Sequence, residues 1–409
     1  MGYVLTARNR FQEWMMGRAT DLTMHDTGSD KGPRLTITRL EAVLLRVPLP
    51  REFRGSHYRM TRRSTVLLRL HTGDGIVGEA YVGDEDAALL TIGRIIEQEI
   101  APALVGLDAL ATERCWHAMY PVTYDILRDR RLGLVALAAA DTAIWDAVGK
   151  AVGQPLWRLW GGFRQRVPLI AIGGYYGEPL GSIADEIAAY LELGLAGVKF
   201  KVGGRSPAED AARVEQARNA AGDDFVIAID ANQGYTVAGA VELARRLDGV
   251  GVRWFEEPVR WHNDRRSLRD VRFQGGLPVC AGQSEFSPSG CRDLMEAGAV
   301  DVCNFDASWS GGPTAWRRTA AVAWSYDVAM GHHEEPQVAS HLIASQPHGT
   351  YVECFHPDRD PIWWGLITNR PPLERGELVL SERPGLGWDL DEDFIDRHRL
   401  DRDAPPDPE

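Results

Sequence analysis

Apolar and polar residues alternate with a period of two from Leu35 to Val47, again from Ser64 to Thr72, and once more from Ile76 to Val82. β-Branched and apolar residues at that period predict strands, and Asp74-Gly75 between the second and third runs predicts a tight hairpin turn. Helical periodicity takes over at about residues 86–119 and again at 133–150, so residues 34–160 read as a small α+β domain. From about residue 168 the beat changes to short apolar runs, each followed by an amphipathic stretch. The runs are Leu169–Ile172, Val198–Val202, Val226–Asp230, Val252–Glu256, Leu277–Cys280, Val300–Phe305, Val328–Met330 and Thr350–Cys354. Parallel strands need helical crossovers, so eight such runs predict a parallel α/β barrel over residues 161–370. No Gly-x-Gly-x-x-Gly follows the first run, which argues against a doubly wound dinucleotide-binding sheet.

The two ends of the chain read differently. Residues 371–409 carry Pro384-Gly385-Leu386-Gly387 and then an acidic, Pro-rich end, a segment expected to pack back on the small domain. Residues 1–33 run through Asp26-Thr27-Gly28-Ser29-Asp30-Lys31-Gly32-Pro33 and read as a loosely attached extension. Its stretch Phe11–Met16 is too short and too polar for the core of a signal peptide.

Composition narrows the function classes. Lys+Arg 45 against Asp+Glu 58 leaves a net charge of −13, so the average surface repels nucleic-acid backbones and anionic lipid. No run approaches the roughly 18 apolar residues of a membrane span. Five scattered cysteines without a Cys-x-x-Cys pair argue against a disulfide framework or a thiolate zinc site and fit a reducing cytoplasm. An acidic chain acting on an anionic substrate must then supply positive charge locally.

In a barrel of this kind chemistry sits where the strands end. Asp230 and Glu256 end adjacent runs, 26 residues apart. Two carboxylates converging there need a hard cation, and oxygen donors without a nearby Cys or His point to Mg2+. Lys199 and Lys201, two apart on one strand, share a face. A lysine beside a divalent cation and a second lysine loses preference for its charged form and becomes a usable base. Asp306 and His333, 27 residues apart, end neighbouring runs, where a carboxylate on one imidazole nitrogen fixes the tautomer and raises basicity. His332 then points the other way.

Taken in order, Lys199-Phe200-Lys201, Ile229-Asp230-Ala231-Asn232, Phe255-Glu256-Glu257-Pro258, Asp306 before Gly311-Gly312, and His333 followed by His341 and Glu353 resemble the enolase superfamily, specifically its mandelate racemase subgroup. Asp141–Lys150, Pro155–Gly162 and Pro384–Gly387 resemble the same family's signature stretches, and the likeness covers about residues 34–395. It implies an α+β N-terminal capping domain over a modified (β/α)7β TIM-type barrel. It also implies Mg2+ on the substrate carboxylate while a base removes the adjacent proton, the superfamily pattern of a Lys or His base with Mg2+. By position Lys201 is that base with Lys199 its electrostatic partner, Asp306–His333 works from the opposite face, and Glu353 hydrogen-bonds a substrate carboxylate oxygen. The activity implied is dehydration of a sugar acid, aldonate or aldarate, to a 2-keto-3-deoxy acid through a metal-stabilised enediolate. A racemase or epimerase uses the same two faces and stays open, as does an idle homologue kept for binding. A homo-oligomer acting on a small carboxylate, without nucleic acid or membrane, is expected.

One departure stands out. The family usually ends its fifth barrel strand in Gly-Glu, whose carboxylate is the third metal ligand, whereas this chain reads Cys280-Ala281-Gly282-Gln283-Ser284-Glu285. Gln283 takes the position, with one charge fewer, and Glu285, two residues on, is the alternative ligand. The resemblance implies that the capping-domain loop after the first strand, here Arg51–Arg59, closes over the substrate. Its Arg54, His57, Tyr58 and Arg59 suggest a polar, doubly anionic substrate, with Asn232, Tyr175 and His356 as further contacts.

Overall fold

The computed structural model describes residues 34–84, 86–177 and 181–401; the N-terminal extension read at 1–33 lies outside the described residues. Three antiparallel strands, β1 (Ile37–Arg54), β2 (Arg59–Thr72) and β3 (Val77–Tyr81), pair in sequence order. The turn between β2 and β3 is made at Gly75, whose φ of +80° suits glycine. Against this sheet lies the helix Arg130–Val152, which starts on an Asp129 cap and stops at left-handed Gly153. Contrary to the expectation that no run approaches a membrane span, this helix is long and apolar enough to cross a bilayer, but it is buried almost throughout as the centre of the capping layer. β3 approaches so closely that a Cβ on Gly78 would stand 2.0 Å from the Ala143 carbonyl oxygen.

Eight parallel strands follow: β4 (Arg166–Gly173), β5 (Gly197–Lys201), β6 (Val226–Asp230), β7 (Val252–Glu256), β8 (Val279–Cys280), β9 (Val302–Cys303), β10 (Ala329–Met330) and β11 (Val352–Cys354). Each pairs with the next from β4 to β10, a parallel bridge joins Met330 to Gly349, and β11 returns to β4 with Val352 opposite Leu169. Between successive strands run the helices Ile183–Glu192, Pro207–Ala221, Val237–Arg246, Asp264–Gly275, Pro288–Glu296, Gly312–Ser325 and Pro336–Ser345. The result is a small antiparallel capping sheet and the parallel (β/α)7β barrel that the resemblance implies. After Arg370 the chain divides its attachments. A hairpin, β12 (Leu373–Glu374) and β13 (Glu377–Val379), adds antiparallel to β4, and the helix Glu392–His398 leads to Leu400, whose amide bonds Leu44 on β1 at 2.8 Å.

Cap and barrel are joined by two buried aspartates of the Arg130–Val152 helix. Asp146 accepts from the amides of Glu79 and Leu386 and pairs with Lys150 at 2.7 Å. Asp141 accepts from the amide and hydroxyl of Thr314, both at 2.8 Å, at the N-terminus of Gly312–Ser325, where the helix dipole favours a negative group. Gly312 is required there, since its φ is +84° and a Cβ would lie 2.4 Å from Asp141. Burial nevertheless outweighs these bonds and pushes the Asp141 carboxyl up to about 7. An acid whose folded pKa is raised contributes stability that is full below its unfolded value near 4 and is lost as pH rises through about 7. Asp141→Asn, which keeps an oxygen acceptor, should therefore flatten the fall in unfolding free energy between pH 4 and 7 by at most about 4 kcal/mol. Urea titrations at several pH values check this, and an unchanged slope would refute it.

Candidate active site

The strand ends of the barrel bring seven of the expected residues to one place. On β5, Lys199 and Lys201 both point inward, as their spacing of two requires. Lys199 Nζ donates to Glu256 Oε1 at 2.7 Å and to Glu353 Oε2 at 2.8 Å, and lies 3.9 Å from Asp230. Lys201 Nζ donates to Asp230 Oδ2 at 2.6 Å between the rings of Tyr58 and Tyr175, each 5.8 Å away. Burial works against the Lys201 charge, but Asp230 outweighs it and holds the ammonium well above the usual lysine range. The lowered pKa expected from sequence presupposes that a cation competes for Asp230. Asp230 in turn suffers from burial, yet Lys201 and Lys199 keep it below the usual carboxylate range. Asn232 steadies it through its amide at 2.8 Å and its side chain at 3.3 Å.

Opposite stands the dyad. His333 Nδ1 lies 2.9 Å from Asp306 Oδ2, whose other oxygen accepts from Ser308 and Trp309. Burial lowers the His333 pKa, but Glu334 and Asp306 outweigh it and lift the imidazole to about 9. His332 is turned away as expected. Its Nε2 accepts from the Ala307 amide, so Nδ1 carries the proton and donates to the His333 carbonyl at 2.8 Å. Burial lowers its pKa.

The third-ligand region departs from the strand rule. β8 ends at Cys280, and Gly282, at φ +148°, starts a turn closed by the Glu285 amide on the Gly282 carbonyl. Alternation therefore does not carry on from Gln283 to Glu285. Glu285 turns outward to Arg265, 2.6 Å away. Gln283 is buried with its orientation set by two bonds: its NH2 donates to Glu257 Oε2 at 3.1 Å and its oxygen accepts from Asn304 at 3.3 Å. Glu257, which sequence reasoning quoted but left without a role, also accepts from Ser284 and Gln233 and has a left-handed φ of +35°.

Among the described residues no group of three His, Cys, Asp or Glu side chains is already arranged to hold a metal ion. The donor set is instead a pair of buried carboxylates, Asp230 and Glu256, beside the amide of Gln283 and the carboxylate of Glu257. Hard oxygen donors of this kind fit Mg2+.

The loop Arg51–Arg59 lies against the barrel's strand ends: Ser56 Oγ donates to the Ala231 carbonyl, and Tyr58 and Tyr175 hydroxyls are 3.5 Å apart. Arg54 and His57 are exposed, and Arg59 is engaged by Glu52 at the surface. His356 stands against Tyr190, its Nδ1 accepting from the Asp358 amide. Two further residues at the mouth, Arg63 and Glu334, escaped the sequence reading. Glu334 adjoins the His332-His333 pair, which was the available signal; Arg63 comes from β2 and had none.

Comparison with known proteins agrees with this fold. Residues 39–161 match the family model of the mandelate racemase/muconate lactonizing enzyme N-terminal domain, and residues 182–394 match the enolase C-terminal domain-like model. A mandelate racemase/muconate lactonizing enzyme from a marine actinobacterium, crystallised in complex with magnesium, is 67% identical, with a TM-score of 0.86 over 90% of this chain and 100% of that one. D-galactarolactone cycloisomerase of Agrobacterium fabrum is 31% identical over 91% of this chain and 100% of its own. Arabinonate dehydratase of Saccharolobus solfataricus is 29% identical over 82% and 90%.

Proposed function

The chain belongs to the mandelate racemase/muconate lactonizing enzyme family of the enolase superfamily, and from that premise we propose that it uses Mg2+ to remove water from a sugar acid, giving a 2-keto-3-deoxy acid. One arrangement carries this reading: Lys201 and the Asp306-backed His333, on strands across the barrel from each other, both lie within the electrostatic reach of Glu334 and beside the buried carboxylates Asp230, Glu256 and Glu353. Asp230 and Glu256, with Gln283 and Glu257 beside them, are the residues to hold Mg2+, which when bound neutralises their charge and the negative charge that grows on the substrate carboxylate. With Asp230 engaged elsewhere, the Lys201 ammonium would give up its proton to solvent, and the neutral amine would take the α-proton. His333, lifted to about 9, is charged at neutral pH and donates the Nε2 proton to the departing β-hydroxyl, so the C–O bond breaks as water leaves. The enol that remains becomes the keto acid. Lys199 and Glu353, 2.8 Å apart, hold the carboxylate end in place, Lys199 supplying positive charge and Glu353 a hydrogen-bonding partner. Preorganised charge of this kind is worth more in a dry site than in water.

Relatives named as dehydratases support the reaction class. A racemase among the relatives, together with proton-carrying groups on both faces, supports epimerisation of an α-hydroxy acid as the second reading. The described cysteines are all unpaired and buried, which supports a cytoplasmic setting, and the exposed apolar cluster Tyr124, Ile126 and Leu127 supports self-association. The test is a library of aldonates and aldarates with Mg2+, assayed for keto acid. Formation of a 2-keto-3-deoxy acid is expected. Racemisation of an α-hydroxy acid with no keto acid from any member would replace this reading with the second.

A further inference from the structure

We propose that Glu334, braced by Arg63 of the capping domain, is a specificity-determining residue that selects sugar acids carrying one carboxylate, with neutral hydroxyls on the remaining carbons, over dicarboxylates. The inference deepens the proposed function and rests on it for the identity of the substrate.

Its first ground is placement. Glu334 Oε1 is 3.4 Å from His333 Nε2, the nitrogen left over after Asp306 has engaged Nδ1. Its Oε2 is 3.4 Å from both terminal nitrogens of Arg63, and its backbone amide donates to Glu353 Oε2 at 3.0 Å. Lys199, Lys201 and Tyr175 are all within its electrostatic reach. The carboxylate therefore stands between the two reactive faces, and its side chain is 16% exposed where that of His333 is 7%.

The second ground is backbone. Glu334 and Glu335 follow His333 with φ of +51° and +48°. Left-handed conformations at two successive residues other than glycine are strained and persist where the surroundings impose them. Here they turn the Glu334 carboxylate back over the mouth before Pro336 starts the next helix.

Charge supplies the third ground. Arg63 is buried, stacks 4.9 Å from the Phe355 ring, and is surrounded by Asp84, Glu334, Asp360 and Glu335. One guanidinium set among four carboxyl groups leaves no net positive charge for a second substrate carboxylate. Arg54 and Arg59, which from sequence suggested a diacid, lie at the surface, Arg59 in its pair with Glu52. An ionised carboxylate only accepts hydrogen bonds, so Glu334 welcomes a hydroxyl and repels an anion.

The experiment measures calorimetric binding, with Mg2+ present, and kcat/KM for galactonate against galactarate and for gluconate against glucarate. Wild-type protein is expected to favour the aldonate of the pair it accepts by at least about tenfold. In the isosteric Glu334→Gln variant that preference should fall at least about tenfold, chiefly through gain of the diacid, and Glu334→Asp should restore most of it. A merely structural role would weaken both acids alike. Wild-type preference for the aldarate, or a ratio unmoved in Glu334→Gln, would overturn the proposal. Should the enzyme instead epimerise an α-hydroxy acid, the dehydratase reading falls, and the same ratio taken between mono- and dicarboxylate forms of that substrate decides the role of Glu334 separately.

Discussion

Lys201→Ala is expected to lower turnover by about 10²–10⁴-fold and to stop exchange of the substrate's α-hydrogen with D2O, whereas His333→Asn should lower turnover comparably and leave exchange running. The asymmetry follows from how each group is held. His333 has Asp306 at 2.9 Å behind Nδ1 and a pKa lifted to about 9, so at neutral pH it is poised to give a proton. Among the described residues Lys201 has one ionic partner within 4 Å, Asp230, and becomes a proton acceptor once that partner's charge is taken up elsewhere and the ammonium has lost its proton. Proton removal and departure of the hydroxyl are thereby assigned to different side chains. NMR of the recovered substrate from D2O separates them: exchange surviving in Lys201→Ala and vanishing in His333→Asn would reverse the assignment while leaving the fold untouched.

Lys199→Met should destabilise the metal-free protein by about 3–5 kcal/mol, the usual cost of removing one partner from a buried ion pair. Lys199 is fully buried, and its ammonium is shared by Glu256, Glu353 and, at 3.9 Å, Asp230. Without it three carboxylates face one another with Lys201 alone to balance them. A cation that binds the folded form recovers stability by mass action, about 2.7 kcal/mol at a hundredfold excess over its Kd. Urea unfolding in EDTA and in Mg2+ reads both effects. A loss that Mg2+ does not reduce would show that Asp230 and Glu256 do not hold the ion, and no loss at all would contradict the charge balance drawn for the site.

The positions legible in the sequence were those that one strand dictates. Lys199 and Lys201 share a face because β5 runs through both; Asp230 and Glu256 sit opposite each other in register; Asp306 meets His333 because neighbouring parallel strands end side by side. The same rule misled where the strand stopped. Glu285 was placed beside Gln283 by a period of two that Gly282 interrupts, and the turn sends it to Arg265. The Lys201 pKa depends for a related reason on which charge stands nearest in three dimensions: beside Asp230 it is raised, and the lowering expected from sequence requires a cation on Asp230.

Sequence alone determined the order of strands and helices, the closed parallel barrel with its antiparallel cap, and the identity of the groups at the strand ends, because hydrophobic periodicity and strand alternation are local and repeat along the chain. Only the tertiary structure decided which carboxylate neutralises which cation, that Glu257 rather than Glu285 lies against Gln283, and that Arg63 from the cap braces Glu334 across 271 residues of chain. Those choices depend on distances between segments remote in sequence and on two left-handed residues after His333. Coulomb energies vary with separation and burial, and neither quantity is encoded in a local pattern.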